Sequence, residues 1–178
     1  MPKYVAFLRA INVGGHTVKM DHLRSLFEAM GFSNVETFIA SGNVIFDSKS
    51  KSAKALEGKI ERALEDALGY QVTTFIRSIA ELAAVAQYKP FQDCGEEGNV
   101  LYIAFVGDVP GDESTQRLLS FSTEVDDFHI YGREVYWLNR KKLGLSEFPG
   151  GAKFEKSLGM PATLRNSNTV VKIALKYS

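Results

Sequence analysis

Apolar side chains recur with two periods along the chain, and the switches between them mark its elements. "YVAFLR" (4–9) is apolar on both faces, the pattern of a central strand covered on two sides. In "DHLRSLFEAMG", Leu23, Leu26, Phe27 and Met30 fall at i, i+3, i+4 and i+7, so a single apolar stripe predicts a helix. Asp21 is its expected cap and Gly31 its expected stop. "NVETFIASGNVIFDS" predicts a hairpin turning at Ser-Gly-Asn. Residues 51–69 predict a second helix with Leu56, Ile60, Ala63, Leu64, Ala67 and Leu68 inward, ended by Gly69. "QVTTFIR" (71–77) adds a strand, and the order β-α-β-β-α-β is that of a ferredoxin-like unit.

The second half repeats the opening. "YIAFVGDVPG" (102–111) parallels "YVAFLRAINVGG", "DESTQRLLSF" predicts a helix capped by Asp112, and "DDFHIYGREVYWL" predicts a hairpin about Gly132. Phe38 and Phe128 each precede their turn glycine by four positions. Beyond the hairpin the pattern loosens into a short helix near 152–159 and a last helix starting near Asn166 or Asn168. The fold class is therefore α+β: two related ferredoxin-like lobes of βαββ type with a C-terminal helix, the second copy irregular. The first lobe spans 1–79, a helix and linker 80–99, and the second lobe 100–178, the whole able to form one compact domain.

Composition narrows the chemistry. The chain has 178 residues and its 21 basic side chains balance 21 acidic ones, so net charge points to neither nucleic acid nor a membrane surface. Charge is segregated, however: residues 1–79 carry 10 basic and 8 acidic groups, 80–135 carry 3 and 11, and 136–178 carry 8 and 2. The single cysteine, Cys94, excludes an intrachain disulfide and a Cys-cluster zinc site, which suits a cytoplasmic protein. No apolar run approaches the ~20 residues that span a bilayer, so no membrane partner is expected.

Topology gathers the polar groups. With β1 running up, the loop "RAINVGGHTVKM" (9–20) and the turn at Ser41, Gly42 and Asn43 share one end of the sheet, together with the turn at Gly69 and Tyr70. Arg9, Asn12, Gly14, Gly15 and Lys19 then approach Ser41, Gly42 and Asn43 at a helix start, an arrangement suited to phosphate or carboxylate. A Walker loop is excluded by Val18 and Met20, and GxGxxG is absent, so no cofactor is assigned. By its own letters the Gly pair serves equally as a plain chain turn. His16, His22 and His129 lack metal-ligand spacing, and no metal is expected. Asp126 and Asp127 point to opposite faces of a strand, Cys94 sits among acids, and Ser41 lacks a nucleophile elbow, so no catalytic residue is assigned.

Three segments, "FLRAINVGG", "FIASGNVIF" and "TLRNSNTVVKI", closely resemble the bacterial family known as domain of unknown function 1697. The resemblance places the family pattern on Arg9, Asn12, Val13, Gly14, Gly15, Ser41, Gly42, Asn43, Arg165, Asn166 and Thr169, with Ser167 where the family usually has Trp. It implies a small α+β protein, and that the C-terminal Arg-Asn motif joins the N-terminal cluster. Read locally, "LRNSNT" is a helix cap that leaves Arg165 unexplained. The expected function is binding of an anionic, phosphate-bearing or nucleotide-like small ligand. Phosphoryl or acyl transfer at the same site, and nucleic-acid binding through the basic C-terminal third, are the alternatives. The oligomeric state is not legible.

Overall fold

The computed structural model describes residues 1–11, 15, 17–39, 42–146 and 151–178, except for the side chains of 151 and 152. Six elements build the first lobe: β1 (Lys3–Leu8), α1 (Met20–Ala29), β2 (Ser33–Thr37), β3 (Asn43–Asp47), α2 (Ala53–Leu68) and β4 (Thr74–Ser78). The strands form an antiparallel sheet in the order β2-β3-β1-β4. Because side chains alternate along a strand, Tyr4, Ala6 and Leu8 meet Val44, Phe46 and Ile76 on one face. Leu23, Phe27, Leu56, Ile60 and Leu64 of α1 and α2 close that core. Val5, Phe7 and Ile45 are buried too, so β1 has no wet face.

The helix ends show where local chemistry decided. Ser52 caps α2 by accepting from the Ala55 N–H at 3.2 Å, and Gly69 ends it at φ +83. The start of α1 departs from the sequence expectation. Lys19 holds the cap position, its carbonyl accepts from the Leu23 N–H at 3.0 Å, and its side chain makes no capping bond. Asp21 instead sits in the first turn, 3.3 Å from Arg24. An ammonium has no acceptor, so the cap residue itself gives the first-turn N–H groups of α1 no side-chain bond.

Helix α3 (Ile79–Gln87) is followed by β5 (Asn99–Val106), α4 (Asp112–Leu119), β6 (Asp126–Tyr131), β7 (Glu134–Arg140), α5 (Gly151–Leu158), β8 (Ala162–Asn166) and α6 (Ser167–Tyr177). Gly111, not Asp112, stands at the cap position of α4. The second sheet runs β6-β7-β5-β8, the same order as the first with each strand in its counterpart's place. Its core joins Ala104, Val106, Val135 and Trp137 to Leu118, Phe154 and Leu158. Strand β8 is the element absent from the sequence expectation. It turns "ATLRN" from a helix lead-in into the strand that completes this sheet. The β6–β7 turn is tight, pairing Tyr131 with Glu134, and Phe128 lies deeper, opposite Trp137. The second-lobe counterpart of Phe38 at the turn is thus Tyr131, because the two hairpin loops differ in length. The chain divides into two units, 1–82 with 177–178, and 83–176.

Each lobe ties its second helix to its last strand with a glutamate. Glu61 of α2 accepts from the backbone of Thr74, and Glu155 of α5 accepts from the Ala162 N–H at 3.0 Å. An edge strand keeps its outer N–H groups unpaired unless something covers them. Burial, reinforced by the charge of Glu57, holds the Glu61 carboxyl above its ordinary pKa. Ionised Glu61 is therefore a cost above that pKa. Glu61→Gln should raise stability by a few tenths of a kcal/mol at neutral pH, the scale of a like-charged i,i+4 pair. The gain should vanish on acidification, as the native carboxyl takes up its proton. Urea midpoints at neutral and acid pH check this; a difference that does not change with pH would contradict it.

Candidate functional site

The end of the first-lobe sheet where the polar groups were expected is built by backbone bonds. The Leu8 N–H donates to the Gly42 carbonyl and the Arg9 N–H to the Thr73 carbonyl, both at 2.9 Å. These link the exit of β1 to the β2–β3 turn on one side and to the start of β4 on the other. The Tyr70 hydroxyl donates to the Ile11 carbonyl at 3.0 Å, fastening the loop after β1 to the turn after α2. Arg9, Gly42 and Asn43 are thereby brought together. Asn12, Gly14 and Ser41, with Val13 and His16, lie outside the described residues.

Gly42 is the tightest point of this junction. Its φ is +81, and a Cβ there would fall 2.8 Å from the Ile11 Cγ2 and 3.2 Å from the Leu8 Cβ. Asn43 is fully buried, and its side-chain amide donates to the Phe38 carbonyl at 2.9 Å, closing the hairpin loop. Gly15 also has a left-handed φ, +85, but open space where a Cβ would stand. Here the backbone conformation alone calls for glycine.

Beside the junction lies a cavity of about 460 Å³ lined by Gly15, Thr17, Val18, Lys19, His22, Ala67, Leu68 and Tyr70. Its size falls in the ~300–1,000 Å³ range of small-molecule pockets. Lys19 and His22 lie i,i+3 on the first turn of α1, so their side chains share a face. The N–H groups of that turn add the positive end of the helix dipole. Asp21, the carboxylate nearest in sequence, is engaged by Arg24 and does not line the cavity. Thr17 and His22 were not singled out from the sequence as site residues. The i,i+3 spacing of Lys19 and His22 was the signal available, and the wall from the end of α2 gave none.

Arg165, Asn166 and Thr169 belong to the second unit. The Arg165 guanidinium donates to the Thr163 Oγ1 at 2.7 Å and to the Leu164 carbonyl at 3.0 Å, and burial lowers its pKa to about 10. It stays protonated at neutral pH. The Asn166 Oδ1 accepts from the Asn168 N–H at 2.9 Å, so this asparagine caps the start of α6, as read locally from the sequence. Ser167 is the first residue of α6, and Thr169 is half-buried in its first turn.

Comparison with known proteins bears on this chain as a whole. The sequence pattern of the family described as protein of unknown function (DUF1697) matches residues 1–136. The chain belongs to the DUF1697 family. The match takes in both sides of the first-lobe junction, Arg9 to Lys19 and Gly42 with Asn43. Among solved structures, a conserved bacterial protein from Streptococcus pneumoniae is similar over 99% of this chain and 98% of its own, at 22% identity and a TM-score of 0.75. That likeness shows the fold and nothing finer. No curated protein matches the chain. No described helix is long and apolar enough to cross a membrane.

Proposed function

We propose that the chain binds an anionic small ligand, phosphate-bearing or nucleotide-like, in the first-lobe cavity at the start of α1. The observation that carries this reading is the cavity itself: Lys19, His22 and the start of α1 line one side of it, and among the described residues no carboxylate lines it. An ammonium and oriented N–H groups both favour an anion, and they reinforce each other at a helix N-terminus. Gly15 leaves the backbone open to close approach, and Tyr70 holds the loop in place. Arg9 and Gly42 fix the geometry of the junction from which the loop departs. Any part for Arg165, Asn166 and Thr169 rests on the resemblance of the segment "TLRNSNTVVKI" alone, since the family match ends at residue 136. The sole cysteine supports a cytoplasmic setting.

Isothermal titration of the full chain with pyrophosphate and with a nucleoside monophosphate tests the assignment. Lys19→Ala should weaken binding by about tenfold, the scale of a lost charge-assisted hydrogen bond. Arg165→Lys, which keeps the buried charge, measures whether the C-terminal motif takes part. Equal affinity in the parent and Lys19→Ala removes the cavity from consideration.

We also infer that the lobes arose by internal duplication. Beyond the shared strand order, Arg77 and Arg165 occupy the same register position, opposite Val5 and Ile103, and both are buried. Each donates to the carbonyl of the residue before it, at 2.9 and 3.0 Å.

A further inference from the structure

A second cavity, of about 700 Å³, lies in the second lobe and is lined by Arg117 and Phe121 from α4 and its exit, and by Lys153, Lys156 and Ser157 of α5. We propose that it is a separate binding site for an aromatic anion, a phosphate or carboxylate carried on a planar ring. Its framework is a structural pair present in both lobes. The Lys153 ammonium stands 5.2 Å from the Phe121 ring centroid, as the Lys59 ammonium stands 5.1 Å from that of Phe32. Both lysines precede a strand-binding glutamate by two residues, in Lys59-Ile60-Glu61 and Lys153-Phe154-Glu155. The cation over a ring is therefore part of the fold, and by itself it argues for no ligand.

What differs between the copies makes the argument. The first-lobe cavity around Phe32 and Lys59 includes Asp47, whose carboxylate also takes Lys3 at 2.9 Å and Asn34 at 2.7 Å. Burial opposes its ionisation, but those two bonds hold the Asp47 carboxyl below its ordinary pKa. That site carries its own anion. In the second lobe the matching register position is Leu138, and among the described residues no carboxylate lines the cavity. Arg117 and Lys156 have joined the lining instead.

Glu113 meets Arg117 only at 3.5 Å from a position 92% exposed, and Glu155 is bound to the Ala162 N–H. Arg117 is aimed by α5 itself, donating to the Ser157 carbonyl at 3.2 Å. The Arg117, Lys153 and Lys156 cations that line the cavity would each attract an anion bound there. The Phe121 side chain and the lysine stems offer apolar surface to a ring, and cations at its edge hold the charged group.

The test is NMR titration of the full chain with phenyl phosphate, with inorganic phosphate alongside. Phenyl phosphate should perturb the amides of α4 and α5 and bind more tightly than phosphate. Lys156→Ala, an exposed change that spares the fold, should weaken it by about tenfold. Lys59→Ala and Lys19→Ala should leave this affinity unchanged, which separates the site from both first-lobe cavities. Failure of phenyl phosphate to perturb α4 and α5, or equal affinity in Lys156→Ala, overturns the proposal. Lys156-dependent binding of a single-stranded oligonucleotide without binding of phenyl phosphate overturns it in favour of a nucleic-acid surface.

Discussion

Replacing Gly42 by alanine should lower stability by about 2–4 kcal/mol and the thermal midpoint by roughly 5–15 °C. Two separate penalties add at this position. An L-residue at φ +81 is strained whatever surrounds it, and the new methyl would also stand 2.8 Å from the Ile11 Cγ2. Ile11 is 3% exposed and its carbonyl is held by Tyr70, so it has little room to yield. Gly15→Ala separates the two terms, because it shares the left-handed φ but meets nothing within 4 Å. It should cost only about 1 kcal/mol. If calorimetry finds the two variants equally destabilised, the close approach of loop and turn is wrong.

Asp126→Ala should cost about 3–5 kcal/mol, the largest loss expected from a single polar side chain in the second lobe. Asp126 is 1% exposed and its Oδ1 accepts from Trp137 Nε1 at 2.8 Å and Asn139 Nδ2 at 3.0 Å. The Ser146 hydroxyl adds bonds at 2.9 and 3.0 Å to its two oxygens. Truncation would strand an indole N–H and an amide in the interior, and each such orphan costs about 1–3 kcal/mol. Asp126→Asn keeps an acceptor for both and should lose less than half as much. Trp137 is the only tryptophan in the chain, so its fluorescence reports the transition in denaturant directly. An unchanged midpoint in Asp126→Ala would show that the network contributes nothing.

Much of the fold was legible because its apolar positions follow the periods of strand and helix. The first lobe reads cleanly: β1 is apolar throughout, the stripe on α2 is unbroken, and Gly31 and Gly69 stop their helices. Strand β8 did not read, and the reason lies in Thr163 and Arg165. Both are buried, so the face a strand normally marks with aliphatic residues carries a hydroxyl and a guanidinium. Asn166 then supplied a true cap signal, which pulled the whole segment towards helix. At α1 the aspartate pattern misled for a simpler reason. The helix begins at Met20, one residue before the expected cap, and Asp21 is already inside it.

The candidate site was legible as a neighbourhood but not as a cavity. Chain direction alone places Arg9, Lys19, Gly42 and Asn43 at one end of the sheet. Which of them face open space depends on packing that no local pattern encodes. Asn43 is turned inward to the hairpin loop, whereas Lys19 lines the pocket. Ala67 and Leu68 form part of that wall because the end of α2 passes there, a matter of helix length and placement.

The position of β8 carries a cost for incomplete chains. It begins at Ala162 and is the sole neighbour of β5 on one side, within the final stretch of sequence. A product terminated before that point would keep β5, β6 and β7 but leave the innermost strand with a bare row of N–H and C=O groups. Such an edge is a template for other chains. Termination before Ala162 therefore yields sticky debris that self-associates or burdens proteases, and not merely a shorter protein.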